Sequence, residues 1–153
     1  MQIAVDKLED KGVIQLLEEH LADMYATSPP ESVHALDLDA LKSPSITFWS
    51  ARYNGEVLGC VALKTLNTKQ AEIKSMRTTE SSRGLGVATK LLEHLISEAH
   101  NQGYETLSLE TGSMDFFKPA RNLYEKYGFS YCQPFGDYKL DPNSLFMELN
   151  LSS

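Results

Sequence analysis

The sequence predicts an α/β protein in which helices pack on one mixed β-sheet. Strand-like segments with alternating polar and apolar residues occur between amphipathic, helix-like segments along the chain. Asn54 and Gly55 separate two of these strands, and the Asn-Gly dipeptide is typical of a two-residue β-hairpin. Residues 71–96 predict a strand, a polar turn with two glycines and an amphipathic helix. With 153 residues, the chain has the length of one domain, residues 1–153.

The N-terminal part predicts one strand and two helices. Residues 2–5 predict a short strand, and residues 11–26 carry apolar side chains at helical spacing. Asp10 is a candidate N-cap of this helix. Residues 31–41 predict a second, short helix. His20 lies beside the apolar stripe of the first helix, where we expect a surface or partly packed histidine rather than a ligand.

In the rest of the chain, the sequence pattern predicts six strands and two helices. They are strands at residues 46–53, 56–66, 71–78, 104–110, 129–134 and 145–151, and helices at residues 83–101 and 118–127. Because side chains alternate along a strand, the odd-numbered residues 73, 75 and 77 are expected on one face of the sheet. The even-numbered residues 72, 74, 76 and 78 are expected on the other.

Composition and charge exclude several classes of protein. The net charge of −7 disfavours binding to nucleic acid, which needs a basic surface. No run of about 18 apolar residues predicts a membrane span, and the N-terminus lacks the pattern of a signal peptide. Cys60 and Cys132 both fall inside predicted strands, so we expect reduced core thiols and a cytoplasmic protein.

The turn after the strand at 71–78 has the features of a phosphate-binding loop. Unpaired N–H groups and the helix dipole make the start of a helix attractive to anions. A nucleotide P-loop needs Lys and Ser/Thr directly after its last glycine, and a dinucleotide fingerprint needs a third glycine where Thr89 stands. A third pattern, R/Q-x-x-G-x-G/A, is matched in full by Arg83, Gly86 and Ala88.

That pattern resembles the pyrophosphate loop of the GNAT superfamily of acyl-CoA-dependent N-acyltransferases. The later run A-x-x-L-Y-x-x-x-G-F, residues 120–129, resembles the second motif of the same superfamily. The resemblance covers about residues 46–151, and more narrowly it points to a bacterial branch with mostly undefined substrates. It implies the GNAT fold, with element order β-α-α-β-β-β-α-β-α-β-β and two central parallel strands that splay apart to admit the cofactor.

The resemblance implies acetyl-CoA as co-substrate and no metal. Loop amides would bind the pyrophosphate, and the strand would pair with the pantetheine arm, with a main-chain N–H near Met76 on the thioester carbonyl. Phe117 stands where many members carry Asn, so one cofactor contact is expected to be absent or supplied by Ser113. The predicted cofactor-binding residues are Met76, Arg77, Thr78, Arg83, Gly84, Leu85, Gly86, Val87, Ala88 and Thr89.

Two side chains are the predicted catalytic groups. Glu72 occupies the position at which several members carry their general base, and Glu110 at the end of the next strand is the second candidate. The alternative for Glu72 is a pairing role with Lys74 or with a substrate ammonium. Tyr124 matches the tyrosine that protonates the leaving thiolate in many members, and it is equally compatible with a core aromatic.

Acceptor binding is predicted in the irregular segments 28–37 and 138–144. The candidate substrate-binding residues are Glu31, His34 and Glu110. The predicted function is transfer of an acetyl group from acetyl-CoA to a primary amine of a small molecule or peptide, by direct attack. The alternative is an acyl-CoA-binding or sensing module with little turnover. The expected partners are acetyl-CoA and a small amine, with no nucleic acid and no membrane, and a homodimer is compatible with the sequence.

Overall fold

The computed structural model describes residues 1–33 and 38–151. Seven strands form one sheet in the order β1-β2-β3-β4-β5-β7-β6. The strands are β1 (Gln2–Val5), β2 (Ile46–Tyr53), β3 (Glu56–Thr65), β4 (Gln70–Thr78), β5 (Thr106–Gly112), β6 (Ser130–Cys132) and β7 (Ser144–Asn150). The helices are α1 (Lys11–Thr27), α2 (Leu38–Leu41), α3 (Val87–Asn101) and α4 (Lys118–Lys126). This order confirms the predicted mixed α/β fold.

The only parallel pair of the described sheet lies at its centre. β4 and β5 are paired from Gln70 with Thr106 to Ile73 with Leu109. Beyond that point both strands continue, β4 to Thr78 and β5 to Gly112, without pairing to each other. The two strands therefore separate at their C-terminal ends and leave an opening in the sheet, as predicted.

The helices cover both faces of the sheet, and each face has its own apolar core. α1 and α2 pack on one face, and α3 and α4 pack on the other. Alternation along β3 divides its side chains between the two cores, with Cys60 and Ala62 facing α1, and Val61 and Leu63 facing α3. The opening between β4 and β5 thus connects two faces that are otherwise sealed by packed side chains.

A β-bulge makes the predicted alternation of β4 wrong. Cys60 pairs with Arg77 whereas Ala62 pairs with Lys74, so two residues of β4 oppose Val61 alone. Ser75, in the bulge, has a positive φ of 52°. An extra residue shifts the remainder of a strand to the opposite face. Arg77 therefore lies on the same face as Lys74, and its guanidinium reaches the carboxylate of Asp23 on α1 at 2.6 Å.

Three other predictions differ from the structure. In place of a helix over 31–41 there are a 3₁₀ turn at Pro30–Ser32 and the short α2, and residues 34–37 lie outside the described part. α3 begins at Val87 rather than at 83, because the two preceding glycines have left-handed φ angles that a helix cannot contain. Cys132 lies in the short edge strand β6 and is partly exposed, so Cys60 is the only core thiol.

Local turn and cap chemistry follows the sequence closely. Asp10 caps α1, since its side chain accepts a hydrogen bond from the backbone N–H of Gly12 at 2.7 Å. Asn54 and Gly55 have φ angles of 51° and 81°. Both are positive, as the tight β2–β3 hairpin requires. Among the described helices, none has the length and apolar character needed to cross a bilayer.

Candidate active site

The loop between β4 and α3 presents unpaired backbone N–H groups. Gly86 is the N-cap of α3 with φ 82°, and its carbonyl accepts the first intrahelical hydrogen bond, from Lys90 N at 3.1 Å. The N–H groups of Val87, Ala88 and Thr89 therefore have no partner within the helix. A Cβ at Gly86 would have no heavy atom within 4 Å, so the approach to these amides is open.

The loop borders a groove of about 680 Å³ between the end of β4 and the start of α4. Nine of the ten residues predicted to bind the cofactor line this groove, namely Met76, Arg77, Thr78, Arg83, Gly84, Gly86, Val87, Ala88 and Thr89. Leu85 does not, and its side chain is 74% exposed. Phe117 closes part of the groove from the α4 side. Ser113 is not in the groove, and its hydroxyl donates to the carbonyl of Pro142 at 2.7 Å.

Ser82 anchors this loop, and sequence reasoning missed it. Its side chain is buried and donates to the carbonyl of Leu58 on β3 at 3.0 Å. The backbone N–H of Thr79 donates to the same carbonyl at 2.8 Å. A serine in a polar turn gives no signal in sequence, because the carbonyl it binds belongs to a distant strand. These bonds fix the direction in which the loop amides point.

A small cavity of about 110 Å³ lies where β4 and β5 separate, and we call it the inner cavity. Glu110 of β5, Tyr124 of α4 and His20 of α1 line it, together with Lys74 and Ser75 of β4. The hydroxyl of Ser75 is buried and has no hydrogen-bond partner in the described part of the chain. The inner cavity thus joins side chains from four elements that are far apart in sequence.

Glu110 has the pKa of a group that can exchange protons near neutrality. The pKa of its carboxyl is raised from 4.5 to about 7, chiefly by burial and in smaller part by the charges of Glu72 and Asp141. The hydroxyl of Ser144 and the ammonium of Lys74 act in the opposite direction. No ion pair to Glu110 is present among the described residues, which is why the effect of burial prevails.

Tyr124 is both a packed aromatic and a cavity residue. It is 7% exposed, and its ring lies 5.6 Å from that of Phe129. Burial raises the pKa of the phenol, and the neighbouring charge of Glu110 raises it further, so the phenol keeps its proton at neutral pH. The two interpretations of Tyr124 drawn from sequence are therefore compatible in the structure.

Glu72 lies in a different environment, within a three-membered network. Its Oε2 accepts a hydrogen bond from the hydroxyl of Tyr138 at 2.5 Å and lies 3.3 Å from Nζ of Lys74. Lys74 Nζ also donates to the Tyr138 hydroxyl at 2.8 Å. Glu72 is only 2% exposed, so this network compensates a buried charge. The pairing of Glu72 with Lys74 that the sequence left open is present.

A second cavity, the outer cavity, lies on the far side of this network. The segment 135–141 lines it together with Glu31, Lys64, Leu66 and Glu72. The same three segments form the wall between the two cavities. Lys74, Ser32 and Asn143 line the inner cavity. Their near neighbours in sequence, Glu72, Glu31 and Asp141, line the outer cavity. Glu31 is exposed at this outer wall, and His34 lies outside the described residues.

Two further groups near the site have structural roles. Arg121, a basic residue of α4, donates to the carbonyls of Gly112 and Met114 at 2.7 and 3.0 Å, which ties α4 to the end of β5. Cys60 is fully buried, and burial raises the pKa of its thiol to about 12. A thiol in this state is a poor nucleophile, which supports direct transfer rather than a cysteine-bound intermediate.

Comparison with known proteins identifies the family. Residues 13–129 match the model of the acetyltransferase (GNAT) family. The uncharacterized N-acetyltransferase YsnE of Bacillus subtilis is 56% identical over 151 residues, covering 99% of this chain and 100% of that protein. The uncharacterized N-acetyltransferase YedL of Escherichia coli is 43% identical over 149 residues, covering 97% of this chain and 94% of that protein.

Solved structures share the fold. A protein of Klebsiella pneumoniae assigned as an acyl-CoA N-acyltransferase has a TM-score of 0.79 at 27% identity, covering 98% of this chain and 97% of its own. An aminoglycoside 6'-N-acetyltransferase, solved as a complex with coenzyme A, has a TM-score of 0.73 at 16% identity, covering 100% of this chain and 98% of its own. The chain described here therefore belongs to the acetyltransferase (GNAT) family and is an acyl-CoA-dependent N-acyltransferase.

Proposed function

We propose that this enzyme transfers an acetyl group from acetyl-CoA to a primary amine of a small molecule or peptide, by direct attack of the amine on the thioester. One observation carries the proposal. The groove at the start of α3 meets the inner cavity at the opening between β4 and β5, and Met24, Met76 and Phe117 line both. A cofactor in the groove would thus bring its thioester to the only described cavity that contains both Glu110 and Tyr124.

The groove suits a pyrophosphate followed by an extended arm. The open amides of Val87, Ala88 and Thr89 attract anionic oxygens, and Arg83 adds a positive charge at the same end. Residues 76–78 of β4 lie beyond the last pair with β5, so a pantetheine arm can bind along them as an added strand would. In this proposal, a backbone N–H of the bulge at Ser75 and Met76 binds the thioester carbonyl.

We propose Glu110 as the base. An alkylamine with a pKa near 10.4 is only about 0.1% neutral at pH 7.4. A carboxyl with a pKa of about 7 takes a proton from such an amine far better than an ordinary glutamate does. Glu72 shares its Oε2 with Lys74 and Tyr138, so in this proposal it forms the wall between the two cavities and holds the other two side chains.

The proton balance of the reaction uses two groups. Glu110 removes one proton from the substrate ammonium, and the neutral nitrogen attacks the thioester carbon. The carbon–sulfur bond breaks, and Tyr124 donates its proton to the departing sulfur. The second proton of the nitrogen then returns Tyr124 to its neutral form, so the products are an amide and a free thiol, with one proton left on Glu110.

Cofactor binding is tested by a pair of matched substitutions. Gly86→Asp places a side chain and a negative charge at the entrance to the loop amides, and we expect it to abolish acetyl-CoA binding measured by calorimetry. Gly55→Asp is the control, because Gly55 has almost the same φ, 81° against 82°, and equally open surroundings, and it does not line the cofactor groove. Unchanged affinity in folded Gly86→Asp would contradict the assignment of the loop.

Turnover is tested by a screen of acceptors. Amino acids, polyamines, aminoglycosides and peptides are offered with acetyl-CoA, and the release of free thiol is recorded. We expect thiol release that depends on the amine and disappears in Gly86→Asp. Tight binding of acetyl-CoA with no turnover of any amine would contradict the proposed reaction and favour a sensing role.

A further inference from the structure

His20 occupies an apolar position on α1. The buried stripe of this helix continues from Val13 through Leu16 and Leu17 to His20, which is 8% exposed. An imidazole at such a position contributes less to apolar packing than an aliphatic side chain does. No hydrogen bond joins His20 to another residue within 1–33 and 38–151, and its ring nitrogens are not among the buried polar atoms that lack a partner, so they remain accessible at the cavity. The packing of α1 thus gives no reason for a histidine here.

The position of His20 in the site gives a reason for a histidine. His20 lines the inner cavity together with Glu110 and Tyr124, and it also lines the cofactor groove. The reacting carbon and nitrogen must meet where groove and cavity join. The small exposed fraction of His20 therefore faces the place at which the acceptor nitrogen has to lie during attack.

The charges around His20 keep its ring neutral. Burial lowers the pKa of the imidazole to about 4, and the positive charges of Arg77 and Lys74 on β4 contribute in the same direction. Asp23 on α1 opposes them, with an effect smaller than that of Arg77. Glu110, on β5, also faces the cavity. A neutral imidazole has one nitrogen that accepts and one that donates a hydrogen bond, so it can hold an amine without repelling its positive charge.

We propose that His20 is the group that holds the acceptor nitrogen at the junction of the groove and the inner cavity, by accepting a hydrogen bond from it. The inference rests on the proposed function and adds a substrate contact from α1. His20 is not the base in this arrangement. It orients the nitrogen towards the thioester while Glu110 takes the proton.

The test uses a probe that does not require the natural acceptor. In a bisubstrate analogue, an acetyl linker joins the sulfur of coenzyme A to the nitrogen of propylamine, which places an amide N–H at the reacting position. Calorimetry compares this analogue with coenzyme A alone. We expect His20→Leu to weaken binding of the analogue about tenfold, the size of one hydrogen bond, and to leave the affinity for coenzyme A unchanged.

Two further variants separate a contact from a packing role. His20→Gln keeps a polar group of similar reach and should retain most of the affinity for the analogue. His100→Leu removes an exposed imidazole from the last turn of α3 and should change nothing. Thermal unfolding adds a second readout, because Leu at 20 continues the apolar stripe. We expect the Tm of His20→Leu to equal or exceed that of the wild type.

The outcomes are distinguishable. Equal affinity of His20→Leu and wild type for the analogue would overturn the role of His20 and leave the proposed function intact. A lower Tm with loss of coenzyme A binding would assign His20 to packing and would also overturn it. If the wild type binds neither coenzyme A nor the analogue, the proposed function itself fails, and the role of His20 fails with it.

Discussion

The inner and outer cavities place two glutamates in contrasting environments on the same face of neighbouring strands. Glu72 pairs with Ser108 of β5, and Glu110 follows two residues later along that strand. On the outer side, Glu72 is neutralised by Lys74 and bound by Tyr138. On the inner side, Glu110 has no ion pair among the described residues, and burial dominates its pKa. Position along the strands thus separates a paired carboxylate from the one that we propose as the base.

The contrast teaches that a general base is recognised by the partners it lacks. A carboxylate with a full set of donors is stabilised in its charged form and gains little by accepting a proton. A buried carboxyl without such donors is stabilised in its neutral form, and it can take a proton from a substrate near pH 7. The four predictions below test this difference between the two cavities.

The largest expected effect is that of Glu110→Gln. Without a proton acceptor in the inner cavity, kcat/KM for the amine found in the screen should fall by ~10²–10⁴. In the wild type, kcat/KM should rise with pH as Glu110 loses its proton and should level off above a pKa of about 7. Glu110→Gln should abolish this limb of the pH profile, because glutamine does not titrate.

Glu72→Gln is the matched control for this profile. It is the same substitution on the neighbouring strand, and it should keep the limb, moved to somewhat lower pH because the charge of Glu72 no longer raises the pKa of Glu110. If Glu72→Gln removes the limb and Glu110→Gln retains it, the base is Glu72, and the assignment drawn from geometry is wrong.

Tyr124→Phe should lower kcat by ~10²–10³, since the departing sulfur then lacks a proton donor. Phenylalanine keeps the ring and its contact with Phe129, so stability should change little. The affinity for acetyl-CoA measured by calorimetry should stay within about twofold of the wild type. A variant with full kcat would show that solvent protonates the thiolate and that Tyr124 is a packing residue.

The third prediction concerns stability and pH. The folded state of the wild type holds a proton on Glu110 between pH 4.5 and about 7, where the unfolded state does not. The free energy of unfolding therefore falls as pH rises through this window. The rise of the pKa from 4.5 to about 7 corresponds to about 3–4 kcal/mol, and the partial exposure of Glu110 reduces this to about 1–2 kcal/mol.

Substitution of Glu110 by glutamine should remove this loss of stability at high pH. Chemical denaturation should find Glu110→Gln more stable than the wild type by about 1–2 kcal/mol at pH 8 and equal to it at pH 4. Glu72→Gln should change stability in the opposite direction, because it leaves the buried Lys74 without its carboxylate. A wild type whose stability is constant from pH 4.5 to 8 would contradict the raised pKa of Glu110.

The sequence predicted the fold and the cofactor loop well because their signals are local. Asn-Gly determines a hairpin, Asp10 caps a helix, and the glycines of the loop sit within six residues of Arg83. The two motifs of the resemblance supplied the order of strands and the opening between β4 and β5. Each of these features depends on neighbours in sequence or on a pattern shared by a family.

The chemistry of the acceptor side was harder to predict because it depends on contacts between distant residues. The bulge at Ser75 has no composition signal, and it alone returns Arg77 to the face of Lys74. The hydroxyl that donates a hydrogen bond to Glu72 belongs to Tyr138, 66 residues further along the chain. Sequence can name both glutamates as candidates, but only the fold reveals which of them has an ion pair among the described residues.

The smallest expected effect is that of Tyr138→Phe, which compares a tyrosine of the outer wall with Tyr124 of the inner cavity. Loss of the hydroxyl removes a hydrogen bond to Glu72 and one from Lys74, while the ring keeps its packing on Phe135 and Phe146. The segment 135–141 should then hold the acceptor less firmly. We expect KM for the amine to rise about two- to fivefold, worth under about 1 kcal/mol, with kcat and the limb near pH 7 unchanged. Tyr124→Phe should show the reverse, a loss in kcat at constant affinity for acetyl-CoA. A fall in kcat for Tyr138→Phe as large as that for Tyr124→Phe would place the Glu72 network inside the reaction and remove the distinction between the two cavities.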